Sequence, residues 1–467
     1  MFVHQEGGGV INRPSKERFQ YQLDNVIATL RQEIIDGTYA PQSYLPSEMA
    51  LSKRFQFSNK SIRKGLEVLE EAGFIRKIPR VGNQVQPLHP HTTLRFNCSR
   101  TILRDLQLEK LIDDFHQLYP RIQIETVPYY RPVPEVLSSE HSEMDLISVN
   151  NHQFQELVKQ GLAETFAPLP QPEETHPLLL EPFRDGGTLR AQPLVFGPVV
   201  LCYNKAHFEE SGIPEPDGSW TWDQLFRSAT ALSNGAGRYG FGFHAISENR
   251  WPIFLLQSGS RSEWEAPWES EALRRKLAHN MSICKNILHD RAMSPLYLSQ
   301  DDKEINRLFR EGKISMLLAS YPQLNDFLES GLDFDVSPVP FQYDPATLFF
   351  SIGAAVNRYS EHKEEAMLFL QYMASQRAQE IIQAHSLSLP SCRRLWERPV
   401  AGRQKRPDRY AMFREILFTF RTHHDLFFSE SLRLRLLSHL KEYWADMIDV
   451  EQLCDRIFSE IRADRAN

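Results

Sequence analysis

Side chains that can bind phosphate groups and base edges are concentrated near residue 60. Arginine and lysine neutralise phosphates, and arginine and asparagine also hydrogen-bond to bases in the major groove of DNA. A glycine lets the backbone approach a groove closely. These residues predict a DNA interface, and its members are Ser47, Asn59, Lys60, Ser61, Arg63, Lys64, Arg80 and Gly82.

The segment that carries these residues predicts a helix, a tight turn, a second helix and a two-stranded wing over residues 45–85. Ser47 can cap the first helix, which we expect to bury Met49, and Ser58 can cap the second. The polar and basic residues then open the second helix, where a recognition helix contacts DNA.

The segment resembles the winged helix-turn-helix of GntR-type bacterial regulators over about residues 15–86. Leu45-Pro46-Ser47-Glu48 is similar to the family's "L-P-S-E", and residues 61–66 and 71–75 are similar to its "T-V-R-x-A-L" and "x-x-G-L-I". The resemblance implies an α+β DNA-binding domain over 14–86. The family usually has arginine in place of Met49 and Asn59, and its wing usually reads "G-K-G-T". We therefore expect a different operator sequence.

Charge and composition favour a DNA reader on a larger body. Residues 14–86 hold 11 basic and 8 acidic residues, a net charge of +3, whereas the whole chain has −7. The 467 residues are enough for two to four domains. No apolar N-terminal stretch predicts secretion, so we expect a cytoplasmic protein without membrane association. Five widely spaced cysteines predict reduced thiols and no metal site.

The pattern changes after residues 87–93, which predict a short proline-containing linker. Strand-like and helix-like segments then alternate, with predicted strands at 94–98, 122–127 and 145–149 and helices at 106–118 and 154–160. Such alternation favours an α/β domain with a largely parallel sheet.

This body, residues 94–467, resembles the extracellular solute-binding proteins of ABC importers that bind sugars and oligosaccharides. The residues similar to its motifs are Phe115–Ile124 ("F-x-x-x-Y-P-x-I-x-V"), Leu201–Gly212 ("L-x-Y-N-K-x-x-F-x-x-A-G"), Ser219–Leu225 ("x-T-W-D-E-L") and Phe309–Met316 ("F-x-x-G-K-x-A-M"). The resemblance implies a two-lobed α/β fold of periplasmic-binding-protein type II. We expect lobe one at about 94–200 and 312–345, and lobe two at about 203–310 and 350–467.

Sugar sites combine aromatic faces with planar polar side chains. Strand ends and family resemblance suggest where such residues would line the cleft between the lobes. The candidates are Tyr129, Asn150, Asn151, Phe196, Arg250, Trp251, Ser320, Tyr321 and Ser351. Core packing is the alternative for each aromatic residue.

Enzymatic function is not expected. The chain has no G-x-S-x-G, HExxH or Walker motif, and no cofactor is implied. The sequence predicts a transcriptional regulator that binds operator DNA as a homodimer and responds to a small-molecule effector, a sugar or an oligosaccharide, controlling uptake or catabolic genes. The alternatives are a GntR-type regulator with another effector, one with an aminotransferase-like body, and a cytosolic sugar-binding protein without gene control.

Overall fold

A computed structural model of the chain describes residues 16–35, 38–86, 92–128, 133–137, 143–235, 237–265, 270–291, 302–397, 406–426 and 429–466. The chain divides into two compact units. Unit one is 1–94 with 112–125, and unit two is 95–111 with 126–467. Most of the predicted linker, residues 87–91, lies outside the described residues, and the first strand of the body already begins at Thr92.

Unit one contains the winged helix-turn-helix predicted from the sequence. Its elements are α1 (Lys16–Ile35), α2 (Glu48–Phe55), α3 (Asn59–Glu71), β1 (Ile75–Ile78) and β2 (Gly82–Val85). The two strands form an antiparallel hairpin in which Ile75 pairs with Val85. The apolar residues that α1 and α3 repeat at helical spacing make the core: Leu23, Val26, Ile27, Leu30, Ile34, Ile62, Leu66 and Leu69.

Serine caps fix where the two helices of the turn begin. The Ser47 hydroxyl accepts a hydrogen bond from the Ala50 amide at 3.2 Å, and the Ser58 hydroxyl accepts one from the Ser61 amide at 3.1 Å. The expected burial of Met49 was wrong, because its side chain is 75% exposed. In this short helix the buried face carries Leu51, and position 49 points away from it.

The body is built on a mixed sheet flanked by helices. Its helices are α4 (Arg100–Asp105), α5 (Leu108–Leu118), α6 (Val133–Leu137), α7 (Asn151–Lys159), α8 (Pro177–Leu180), α9 (Lys205–Ser211), α10 (Trp222–Leu232), α11 (Pro252–Leu256), α12 (Arg261–Glu265), α13 (Glu271–His289), α14 (Lys303–Arg310), α15 (Lys363–Ala374), α16 (Gln376–His385), α17 (Arg394–Glu397), α18 (Glu430–Trp444) and α19 (Val450–Ala466). Its strands are β3 (Thr92–Cys98), β4 (Ile122–Pro128), β5 (Leu146–Asn150), β6 (Arg184–Asp185), β7 (Thr188–Leu189), β8 (Gln192–Asn204), β9 (Tyr239–Gly242), β10 (Ile314–Ser320), β11 (Phe334–Ser337), β12 (Thr347–Val356), β13 (Leu389–Pro390) and β14 (Phe420–Arg421).

The long strand β8 runs through both halves of the sheet, whose main order is β4-β3-β5-β12-β8-β10-β9. Its first half pairs with β12 and β13, and its second half pairs with β10 and β11. All 13 of its residues are buried. The sheet therefore has two halves, which correspond to two lobes that share one strand.

This pairing corrects the expected lobe boundaries. Residues 314–320 form β10, which pairs with β9 and the second half of β8, so they belong to lobe two rather than lobe one. Residues 352–356 of β12 pair with β5, so this part of the chain belongs to lobe one. β10 is buried along nearly its whole length, and its apolar run suits either half of the sheet.

Lobe two is completed by the end of the chain. Helices α18 and α19 pack against each other and against α13, and their apolar residues join the core around Trp222 and Trp251. Among the described helices, none has the length and hydropathy needed to cross a membrane.

Candidate functional site

The first turn of α3 presents the polar side chains that the sequence predicts to contact DNA. Asn59, Lys60, Arg63 and Lys64 are exposed. Ser61 is 9% exposed, and its hydroxyl lies 2.8 Å from the Ser58 hydroxyl. The exposed members share one end of one helix, where their side chains can reach a duplex together.

An ion pair orients Arg63 across the helix-turn-helix. Its Nη2 lies 2.8 Å from Glu48 Oε2 and its Nε lies 3.3 Å from Glu48 Oε1, a two-point contact. The hydrogen bond from Arg63 lowers the pKa of the Glu48 carboxyl group, although partial burial opposes the shift. Sequence reasoning did not anticipate this pair, which connects the start of α2 to the N-terminal part of α3.

The wing turn adopts backbone conformations that suit a close approach. Arg80 has φ of 65° and Gly82 has φ of 147°, and Arg80 is exposed. A β-carbon on Gly82 would lie 3.6 Å from the Tyr44 ring, which is ordinary contact, so the backbone angle is what favours glycine there. Val81 at the tip is 63% exposed.

Four predicted ligand residues lie on lobe-one strands or at the junction between β5 and α7. Asn150 ends β5 and caps α7, with its Oδ1 2.8 Å from the Gln153 amide. Asn151 is buried, and its Oδ1 accepts a hydrogen bond from the Ser351 amide at 3.1 Å. Ser351 pairs with Phe196 between β12 and β8. The fold thus brings these four residues into one neighbourhood.

A second group lies in lobe two. The buried Arg250 guanidinium donates hydrogen bonds to Leu318 O at 3.1 Å and to Gln323 Oε1 at 2.6 Å, and burial lowers its pKa. The same Gln323 oxygen accepts a hydrogen bond from the Ser320 amide at 3.3 Å. Trp251 is 1% exposed, and its indole Nε1 has no hydrogen-bond partner among the described residues.

The chain's own C-terminal part covers several of these residues. Phe196 is fully buried, and the ring of Phe413 packs edge-on against it with ring centres 5.7 Å apart. Tyr321 is also fully buried, and its hydroxyl donates to Tyr410 O at 2.8 Å. Tyr129 lies outside the described residues. Ligand contact by these residues stays a prediction.

An open cavity of about 510 Å³ borders the lobe-one group. Asn151, Lys159 and His424 contribute polar groups to it. Phe349 and Phe420 supply two stacked rings whose centres are 5.4 Å apart. This combination of aromatic surface and convergent polar groups has the composition of a small-molecule site.

A histidine cluster beside this cavity was missed as a site. The ring of His152 on α7 lies 4.7 Å from that of His423 and 6.5 Å from that of His424. Burial lowers the pKa of His152 to about 2 and the pKa values of His423 and His424 to about 4. The sequence signals were the i,i+4 pair His152 and Glu156 and the distant dipeptide His423-His424, which nothing in the sequence connects.

Comparison with known families matches both parts of the chain. Residues 22–85 match bacterial regulatory proteins of the gntR family, and residues 105–380 match the family of bacterial extracellular solute-binding proteins. An uncharacterised HTH-type transcriptional regulator of Escherichia coli, YieP, is 35% identical over 69 residues, which are 15% of this chain and 30% of that protein. A putative binding protein of Brucella abortus is 23% identical over 248 residues, 49% of this chain and 58% of that protein. The chain thus spans little more than half the length of that relative.

Solved structures share the fold of the body. An ABC substrate-binding protein of Listeria monocytogenes, in complex with cycloalternan, has a TM-score of 0.65 and 19% identity, covering 80% of this chain and 98% of that one. A maltose-bound T. maritima protein has a TM-score of 0.67 and 15% identity, covering 79% and 99%. The GacH receptor of Streptomyces glaucescens, studied with acarbose, has a TM-score of 0.66 and 16% identity, covering 80% and 98%.

Proposed function

Since the chain belongs to the family of bacterial extracellular solute-binding proteins and its residues 22–85 match gntR-family regulators, we propose that it is a ligand-responsive, DNA-binding transcriptional regulator. Its effector is a sugar or an oligosaccharide bound between the lobes. The observation that carries the proposal is the joining of a winged helix-turn-helix to a solute-binding body in one chain. A receptor body attached to a DNA reader is suited to convert ligand binding into a change in operator affinity.

The DNA side of the proposal rests on the first turn of α3 and the wing. Exposed Lys60 and Lys64 supply phosphate contacts, whereas Arg63 and Asn59 can donate to base edges. Two copies on a two-fold related operator would place two such helices in successive major grooves. A role on operator DNA would require a cytoplasmic location, which is part of the proposal.

The carbohydrate side rests on the fold and on the cavity of about 510 Å³. Three similar structures were studied with cycloalternan, maltose or acarbose, all carbohydrates. In this chain the buried Phe349 and Phe420 form part of the apolar wall of that cavity, and Asn151 and Lys159 can hydrogen-bond the hydroxyl groups of a sugar. Closure of the lobes on the ligand would then alter the distance or angle between two DNA heads.

The alternative of an aminotransferase-like body was wrong, because residues 105–380 match a solute-binding family. Two experiments distinguish the proposed regulator from the other alternative, a binding protein without gene control. A thermal-shift screen of the full chain against mono- and oligosaccharides first identifies an effector. Fluorescence anisotropy then measures binding to a duplex from the chain's own promoter region and to a scrambled duplex, with and without that sugar.

We expect preference for the promoter duplex over the scrambled one, and a change of about 5- to 150-fold in affinity when the effector is present. Equal affinity for both duplexes, with and without sugar, would overturn the regulatory proposal. If a sugar still stabilised the protein in the same preparation, the remaining explanation would be a sugar-binding protein without gene control.

A further inference from the structure

The side chains around the start of α7 form a cluster that the proposed function does not use. His152 and Glu156 are four residues apart on α7 and therefore project from the same face. His424 reaches them from the short 3-10 helix His423–Leu426, far along the chain. One ligand atom from each of the three residues lies within 4.8 Å of the other two.

The free nitrogens of the cluster are suited to a metal ion. His152 Nδ1 and His424 Nε2 are buried and have no hydrogen-bond partner among the described residues. A buried polar atom without a partner is destabilising, and coordination to a cation would offset that cost. A metal ion binds the lone pair of a neutral imidazole ring, which both nitrogens can supply.

We propose that His152, Glu156 and His424 bind one zinc ion whose fourth coordination position faces the neighbouring cavity. Two imidazole nitrogens and one carboxylate are a ligand set that zinc takes when it keeps an open position. His424 lines the cavity of about 510 Å³, so water or a small ligand can reach that position. Tetrahedral zinc places its ligand atoms about 3.3 Å apart, which requires the three atoms to approach by up to about 1.5 Å.

Two cations beside the site set its expected affinity. Arg433 Nη2 lies 2.5 Å from His152 Nε2, which leaves Nδ1 as the unoccupied ring nitrogen, and Arg433 Nη1 lies 4.0 Å from Glu156 Oε1. Lys159 Nζ lies 3.2 Å from Glu156 Oε1 and competes with a metal for the carboxylate. These charges weaken binding of a bare cation, but they favour an anionic group at the fourth position.

Further support comes from the way the cluster is held in place. His423 Nε2 lies 2.9 Å from Glu248 O, which anchors the short 3-10 helix to lobe two. Asn150 caps α7 at the end of β5 and fixes the direction of that helix. Both elements that carry ligands are thus positioned by neighbours other than the metal.

The test is metal binding by the full chain after removal of any affinity tag and stripping with a chelator. Calorimetry with zinc chloride measures stoichiometry and affinity, and cobalt(II) substitution gives a visible spectrum that reports coordination number. The parent should bind one zinc ion per chain, and cobalt should show the intense visible bands of a four- or five-coordinate site. His424→Ala and Glu156→Gln should each weaken zinc binding by more than about tenfold.

Two further variants keep the result interpretable. Lys159→Met removes the competing cation from a half-exposed position and should tighten zinc binding by about 1.4- to 5-fold. His362→Ala, at the start of α15, removes a histidine outside the cluster and should leave stoichiometry, affinity and spectrum unchanged. Glu156→Gln nearly conserves volume, so it tests the site even if His424→Ala fails to fold. Absence of saturable binding by the parent, or zinc affinity unchanged in Glu156→Gln, would overturn the proposal.

Discussion

Arg63 is a member of the proposed DNA interface whose side chain is oriented by an ion pair within the protein. Its guanidinium is held by two contacts to Glu48 while the side chain stays half exposed. A pre-oriented guanidinium loses less conformational entropy when it binds a base or a phosphate. This arrangement favours a base-reading role over a diffuse electrostatic one.

Arg63→Ala should therefore weaken specific operator binding by about 1–3 kcal/mol, or roughly 5- to 150-fold. The matched control is Arg54→Ala, which removes an equal charge from an arginine paired with Glu33 in the same head. Anisotropy titrations with operator and scrambled duplexes at one salt concentration would measure both variants. Equal losses on both duplexes would reduce Arg63 to a phosphate contact.

The buried histidines predict acid sensitivity. The pKa of His423 is lowered to about 4 by burial, whereas an unfolded histidine titrates near about 6.5. At pH values between these two pKa values, the histidine is mostly protonated in the unfolded chain and mostly neutral in the folded chain. Stability is therefore fully present above about pH 6.5 and is lost as pH falls towards 4, with a slope of up to about 1.4 kcal/mol per pH unit.

His423→Gln removes this titration and keeps an N–H donor for Glu248 O. We expect its free energy of unfolding, from urea titrations with a chelator present, to fall less than that of the parent between about pH 7 and about pH 5. His362→Gln, outside the cluster, should follow the parent. Parallel curves for the parent and His423→Gln would contradict the assignment.

At the scale of elements, β8 passes very close to the turn that follows β10. A β-carbon on Gly197 would lie 2.7 Å from Tyr321 Cβ and from Pro322 Cδ. Gly197→Ala must push these elements apart, and we expect a loss of about 1–3 kcal/mol in urea-induced unfolding. For Gly218→Ala the nearest atom, Pro338 Cγ, is 3.6 Å away, so a change within about 0.5 kcal/mol is expected. Similar losses for both variants would contradict this account.

The elements also show what the sequence could predict. Serine caps, helical spacing and the wing predicted the head, because its contacts are local in sequence. The α/β body followed from alternating strands and helices and from family resemblance. The predicted lobe of β10 was wrong because a continuous apolar run does not indicate which strands it pairs with.

The candidate sites were harder to predict for the same reason. His152 and His424 are brought together by folding across more than half the chain, so no spacing rule connects them. Phe196 and Tyr321 were chosen as ligand residues from their places on the chain, yet Phe413 and Tyr410 pack against them. No motif or spacing in the chain indicated that residues 410–413 would lie there.

At the scale of the whole molecule, the proposed switch must obey linkage. If a sugar changes operator affinity by a given factor, operator DNA must change sugar affinity by the same factor. Calorimetry of the sugar with the full chain, alone and saturated with operator duplex, measures this directly. We expect equal factors within error and in the range of about 5- to 150-fold. If the sugar affinity were the same with and without saturating operator duplex, the DNA-binding head and the receptor body would act independently.

The placement of the last two helices has a genetic consequence. The buried core residues of the head all lie between Leu23 and Val85, whereas lobe two is completed by α18 and α19 at residues 430–466. A nonsense mutation between the codon for Val85 and α18 removes part of the receptor and leaves the core residues of the head in the product. Under the proposed function, the truncated product could still bind operator DNA but could no longer respond to the effector, so we expect such alleles to be dominant over the intact gene.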